Sequence, residues 1–297
     1  MSFVLMTDSS ANLTTDIIEK FGIEIIPLTF IVNDAEYTSY RKGENIDIKQ
    51  FYDMMRNKEH IKTSLITPEV FITEFEKFLK QGQDVLYIGF SSGLSGTFQS
   101  SVIAADTLSE KYPDRKIIVW DSLCASLGQG LIVYYAVKMK EEGKTMDEIL
   151  SWLDENRLKL CHWFTVDDLF FLKRGGRISA TTAILGSALN IKPVLHVDNN
   201  GKLVSVSKAR GRKQAINKLI AKLDETAIEP EKQAIFISHG DCIEDAEYIA
   251  KTVKEKYGVK DIVINYIDPV IGAHSGPGTL ALFFIGTERY KYHTKST

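Results

Sequence analysis

Cysteine is scarce in this chain. Cys124, Cys161 and Cys242 lie far apart, are odd in number and form no CxxC pair. That pattern indicates neither a disulfide framework nor a zinc site, and a reducing cytoplasm fits it best. Long apolar runs are also missing. No segment approaches the roughly 18 apolar residues of a membrane span. The first residues, Met1-Ser2-Phe3-Val4-Leu5-Met6-Thr7-Asp8, lack a basic n-region, and their apolar run stops at Asp8. They read as a strand rather than a signal peptide. Charge of one sign is not in excess. A net charge of -3 gives no general attraction to nucleic acid or to anionic membranes. Internal repeats and low-complexity tracts are absent. Among the six histidines there is no HExxH or other metal spacing.

What is present is ordinary for a soluble globular protein: 44% apolar and 25% charged residues. A chain of 297 residues is long enough for a large core and two domains. Apolar strand-like runs alternate with amphipathic helical ones, which predicts an α/β architecture with mostly parallel pairing in the first half. Phe3–Thr7, Ile23–Val32, Val85–Phe90 and Ile117–Trp120 read as strands. Asp16–Lys20, Ile48–Arg56, Val70–Lys80, Thr97–Lys111 and Leu127–Glu141 read as helices, and Thr145 begins another. Thr67-Pro68 supplies an N-cap hydroxyl and a first-turn proline for a helix carrying Phe71, Phe75, Phe78 and Leu79 on one face.

The second half reads as α+β with antiparallel pairs. Val194–Val197 and Leu203–Val206 flank Asp198-Asn199-Asn200-Gly201, a hairpin signal because Asn-Gly suits positive φ. Helix Arg212–Leu223 and strand Ala234–Ser238 follow. The next helix is expected to bury Ile243, Ala246, Ile249, Ala250, Val253 and Tyr257. Strand Ile262–Ile267, a loop over Gly272–Gly278 and strand Leu280–Ile285 close the chain. The expected domains are 1–156 and 157–297. No Pro/Gly/Ser linker separates them, so they should pack together.

The most informative segment is Ser91-Ser92-Gly93-Leu94-Ser95-Gly96-Thr97, a turn rich in hydroxyls and glycine between a buried strand and a helix. It presents backbone N–H groups and small donors at the positive end of a helix, which suits an anionic ligand group. Thr7-Asp8-Ser9-Ser10 and Asp121-Ser122 end two other strands. Ligands of open α/β sheets gather at the carboxyl ends of strands, although such residues also simply cap the next helix. Three polar strand ends favour a ligand crevice.

Gly89-Phe90-Ser91-Ser92-Gly93 matches the G-x-S-x-G elbow of acyl hydrolases. Asp241 or Asp268, then His274, would complete a triad. Against it, Gly93-Leu94-Ser95-Gly96 separates Ser91 from the helix it should enter directly. A phosphate cradle of the Walker type needs a lysine after Gly96, and none is there. His60 and His293 read as surface residues and His239 as a strand-end residue. His274, among small residues, suits a loop in close contact with a ligand. Lys173-Arg174-Gly175-Gly176-Arg177 by itself reads as a solvated basic turn.

Together these motifs resemble the DegV family of bacterial lipid-binding proteins, whose members include the fatty-acid-binding subunits of fatty acid kinase. The resemblance runs nearly the whole length. It rests on Thr7-Asp8-Ser9-Ser10, Lys62-Thr63-Ser64, Ser91–Thr97 with Gln99, Asp121-Ser122, Lys173–Ile178 with Ser179, Asn190-Ile191-Lys192-Pro193, Ser238-His239-Gly240-Asp241 and His274–Gly278. It implies one long-chain fatty acid held in a tunnel between the two domains. Thr63 and Ser95 would contact the carboxylate, with Gly96 and Thr97 at the helix start. A histidine at 274, protonated if the anion requires it, would lie beside them, and Arg177 would arrange that end. It further implies no catalytic centre and no cofactor, and as partner an ATP-dependent kinase resembling dihydroxyacetone kinases. The product would be acyl phosphate for phospholipid synthesis. Family members often continue the Thr-Ser pair with Gln-Pro. Here Leu65-Ile66-Thr67-Pro68 follows, so no contact is carried over to Leu65.

Overall fold

The computed structural model describes residues 2–43, 47–179 and 190–289. In chain order the first half reads β1 (Phe3–Asp8), α1 (Thr15–Phe21), β2 (Glu24–Ile26), β3 (Thr29–Val32), β4 (Ala35–Thr38), α2 (Ile48–Arg56), β5 (Ile61–Ser64), α3 (Pro68–Leu79), β6 (Asp84–Gly89), α4 (Thr97–Lys111), β7 (Ile117–Asp121), α5 (Leu127–Glu141) and α6 (Met146–Asn156). The remainder reads β8 (Leu160–Thr165), α7 (Leu169–Arg174), β9 (Ile191–Val197), β10 (Leu203–Arg210), α8 (Arg212–Thr226), β11 (Ala234–His239), α9 (Ile243–Tyr257), β12 (Asp261–Tyr266), α10 (Pro269–Ser275) and β13 (Leu280–Ile285).

Three sheets result. The first has order β2-β1-β6-β7 and is parallel throughout. The second, β4-β3-β5, is small and antiparallel. The third has six strands in the order β10-β9-β8-β13-β11-β12 and is antiparallel except for the β11–β12 pair.

The alternating architecture is as the sequence predicts, but two expectations need correction. Ile23–Val32 is not one strand. It breaks at Pro27, whose missing N–H cannot join a ladder. The two pieces enter different sheets. The segment Gly272–Gly278 is not all loop, because its first residues complete α10, a helix capped by Asp268 with Pro269 at its first position. Apolar content there is too short to show periodicity. Two smaller corrections concern helix ends. Thr67 stands at the N-cap of α3 but makes no cap hydrogen bond. Ile243, in the first turn of α9, is 42% exposed rather than buried.

Helix α5 explains how the two large sheets meet. Its stretch Leu127–Val137 is apolar on nearly every side, the pattern of a helix buried all round. Leu131, Ile132, Val133 and Ala136 are fully buried in the core that reaches both sheets. Gly128 permits the approach, since a Cβ there would lie 2.2 Å from His162 Nε2 on β8. Gln129, also on its first turn, donates to Thr7 Oγ1 at 2.9 Å and to Asp8 Oδ2 at 3.2 Å. The N-terminus of α5 is thereby bonded to the end of β1.

Candidate functional site: an apolar cavity with a hydroxyl rim

Strand β5 belongs to the small sheet, and its alternation leaves Thr63 half-buried against Phe30 of β3. Helix α10 packs against β5, α2 and α7. His274 lies in its last turn. Thr63 Oγ1 and His274 Nε2 are 2.8 Å apart, a contact between residues 211 positions apart in the chain. Behind the ring lies Gly175, at the end of α7, where a Cβ would come within 2.3 Å of His274 Nδ1. Gly175 has φ -73, an ordinary helical value. Its smallness serves the close approach, not the backbone. Gly175→Ala is therefore expected to fold normally yet push the imidazole off Thr63. The measurement is the NMR titration of His274, which should move up from its present low value. An unchanged titration would show that Gly175 does not set the ring position.

The 91–97 turn faces this pair. Ser91 N donates to the Cys124 carbonyl, and Ser95 N donates back to the Ser91 carbonyl at 3.2 Å. Ser95 Oγ accepts from Thr97 N at 3.2 Å and lies 3.0 Å from Thr97 Oγ1. The side chain of Ser95 thus caps α4, because Gly96 at the formal cap position has none. Arg177 Nε donates to the Leu94 carbonyl at 3.2 Å and ties the turn to the end of α7. The basic turn of the sequence is therefore not a wholly solvated loop. Its arginine is half-buried, and burial lowers its pKa.

These groups border a cavity of ≈ 250 Å³ whose wall includes Thr63, Ser95, Gly96, Arg177 and His274. Its apolar wall comes from Phe90, Phe164, Leu172, Val270, Ala281 and Phe283. The segment after β6, the six-stranded sheet and α10 all contribute. Thr97 is fully buried, is not part of the wall, and meets Ser95 Oγ through its N–H and hydroxyl. Leu65 lines the mouth, is 47% exposed and lies against Gly96. An acyl chain with one anionic end matches this distribution: mostly apolar side chains inside, with hydroxyls and a helix N-terminus at the opening.

Electrostatics correct one expectation. His274 is not protonated. Burial, reinforced by the Arg177 and Arg174 guanidiniums, pulls it down to about 4. A neutral ring whose Nε2–H donates to Thr63 Oγ1 leaves the threonine proton free for an anion.

The hydrolase constellation is also corrected. Ser91 is fully buried and donates to the Gly201 carbonyl at 2.9 Å. His274 Nε2 is held by Thr63 instead. Asp241 pairs with Arg56 at 2.6 Å, and Asp268 Oδ1 accepts from Ile271 N to cap α10. The candidate serine, acid and histidine are thus each committed elsewhere. Two polar strand ends likewise hold loops rather than ligand. Asp8 accepts from Ser10 N, Tyr87 Oη and Phe90 N. Asp121 accepts from Ser92 N and Leu123 N. His239 is tilted against Tyr266 at the end of β11, with ring centroids 4.3 Å apart, and His60 is exposed. His293 lies outside the described residues. Among those residues no group of three or more His, Cys, Asp or Glu could hold a metal, and no helix is long and apolar enough to cross a membrane.

The sequence reading missed wall positions on β8 and β13, above all His162 and Ala281. The one available signal was His162 itself, a titratable residue inside the apolar run Leu160–Val166.

Comparison with known proteins places this cavity in a family. Residues 2–287 match the DegV family model, described as uncharacterised proteins. The chain belongs to the DegV family. It is 48% identical over 284 residues to a DegV domain-containing protein of Clostridium perfringens, covering 96% of this chain and 97% of that one. Among solved DegV structures, a lipid-binding protein of Thermotoga maritima matches at 32% identity and a TM-score of 0.84, covering 98% of this chain and 100% of that one. A DegV protein of Thermus thermophilus, described by its fatty acid binding, matches at 29% identity and a TM-score of 0.85. It covers 96% of this chain and 100% of that one.

Proposed function

We propose that this DegV protein is a cytoplasmic carrier that binds one long-chain fatty acid and presents its carboxylate to an ATP-using kinase resembling dihydroxyacetone kinases. The acyl phosphate formed there passes to phospholipid synthesis. The observation that carries the reading is the cavity, largely apolar within and bordered by Thr63, Ser95 and Gly96 beside a neutral His274. Fatty acid binding by DegV relatives supports it. Each buried methylene is worth about 0.8 kcal/mol, so a C16 chain contributes on the order of 10 kcal/mol before association costs. A carboxylate without partners would cancel much of that. The Thr63 and Ser95 hydroxyls and the N-terminus of α4 offset the cost. Neutral donors also leave the carboxylate oxygens nucleophilic toward a phosphoryl group. The chain carries no nucleotide motif of its own.

The first test is native mass spectrometry of the purified protein, then solvent extraction and lipid identification. About one fatty acid per chain is expected. A protein that is empty and takes up neither palmitate nor oleate would sink the carrier reading. The kinase step is tested separately, by acyl phosphate formation with an added kinase of that class. Labelling of Ser91 by a fluorophosphonate, lost in Ser91→Ala, would restore the hydrolase alternative.

A further inference from the structure

One part of the cavity wall does not suit a plain hydrocarbon. His162 is 1% exposed and lines the cavity, yet neither of its ring nitrogens has a hydrogen-bond partner. The ring stands edge-on to Phe283, with centroids 5.3 Å apart, and presses on Gly128. The Leu160 backbone exerts a weak pull on it but does not reach hydrogen-bond geometry. Ser126 and Ser238 also line the cavity and are buried, as are Ser275 and Thr279. The hydroxyl oxygens of Ser126 and Ser238 are 3.0 Å apart, and Ser126 Oγ lies 2.7 Å from Asn12 Oδ1. Each hydroxyl has one proton and two lone pairs, so this short chain leaves accepting capacity unused. Ser126 also holds φ 54 and ψ -147, a conformation rare for any residue but glycine.

A buried polar group left unpaired is costly, and a methylene set against His162 would leave it so. A neutral imidazole has one donor and one acceptor nitrogen, and a hydroxyl, which can both donate and accept, can pair with either. We propose that His162, Ser126 and Ser238 form an oxygen subsite in the cavity, and that the acyl chain this protein takes best carries a hydroxyl group along its length. This deepens the fatty acid reading and rests on it.

The test compares stearate with a series of monohydroxystearates, their oxygen moved from mid-chain to the terminal carbon, by displacement of a fluorescent acyl probe. In the unmodified protein at least one isomer is expected to bind more tightly than stearate. In His162→Leu that isomer should lose roughly tenfold relative to stearate, the value of one buried hydrogen bond. Ser238→Ala, which removes only a hydroxyl, gives the same comparison should His162→Leu fail to fold. Isomers that all bind no more tightly than stearate would overturn the subsite. So would a stearate-to-hydroxystearate ratio that neither variant changes, since water alone would then satisfy this wall. Failure of stearate and every isomer to bind would instead bring down the carrier reading itself.

Discussion

Removing both rim hydroxyls, in Thr63→Ala/Ser95→Ala, is expected to weaken long-chain fatty acid binding by about a hundredfold or more. Hydrogen bonds to a charged group contribute roughly 1.5–3 kcal/mol each, so two of them correspond to a factor on the order of 100 to 10,000. Thr63 is half-buried and its hydroxyl sits 2.8 Å from His274 Nε2. In the variant, the imidazole loses its partner and the anion loses a donor. Ser95 has a second task, because its Oγ receives Thr97 N at the start of α4. The single change Ser95→Ala should therefore also cost stability, about 1 kcal/mol as for other lost caps. Measuring the melting temperature beside the dissociation constant separates the two effects. On the proposed function, acyl phosphate formation with an added kinase of that class should fall in step. Binding and transfer that both survive the double substitution would mean that the carboxylate lies elsewhere.

Filling the cavity should have an effect of similar size by a different route. Ala281 is buried on β13, paired with Phe164 of β8 and with Ser238 of β11, and its methyl faces the cavity. Ala281→Trp places an indole in a space of ≈ 250 Å³. Into a close-packed core such a change would cost roughly 1–3 kcal/mol. Here the ring has room, so the fold should persist while C16 and C18 chains are excluded. Shorter acids, with less chain to bury, should suffer less. Titration of palmitate and of an eight-carbon acid distinguishes this from general damage. Palmitate bound as before would show that the chain does not run past Ala281.

The hydroxyl-rich turn was legible because its signals are local. A buried strand, a glycine and serine turn and a helix with apolar spacing stand within about twenty residues of one another, and the turn does open α4 with Ser95 as its cap. Helix α5 was equally plain from its apolar run Leu131–Val137. The acidic strand ends were less so. Asp8 and Asp121 have the composition of a ligand crevice, and only their bonded partners, such as Tyr87 and Leu123, show them holding loops. The basic turn erred in the other direction, since nothing near Arg177 in the chain announces that Leu94 will accept from it.

By itself the sequence determined the alternation of strands and helices, the parallel first sheet, the hairpin at Gly201 and the family. Each rests on periodicity, on turn chemistry or on motifs in a fixed order, which depend on neighbours in the chain. Tertiary structure alone decided that Thr63 meets His274, that Gly175 makes room for that ring, that Ser91 turns to Gly201, and that His162 stands unpaired in the cavity wall. Those contacts join residues up to 211 positions apart. Burial then sets their chemistry, holding His274 neutral where the sequence allowed a cation.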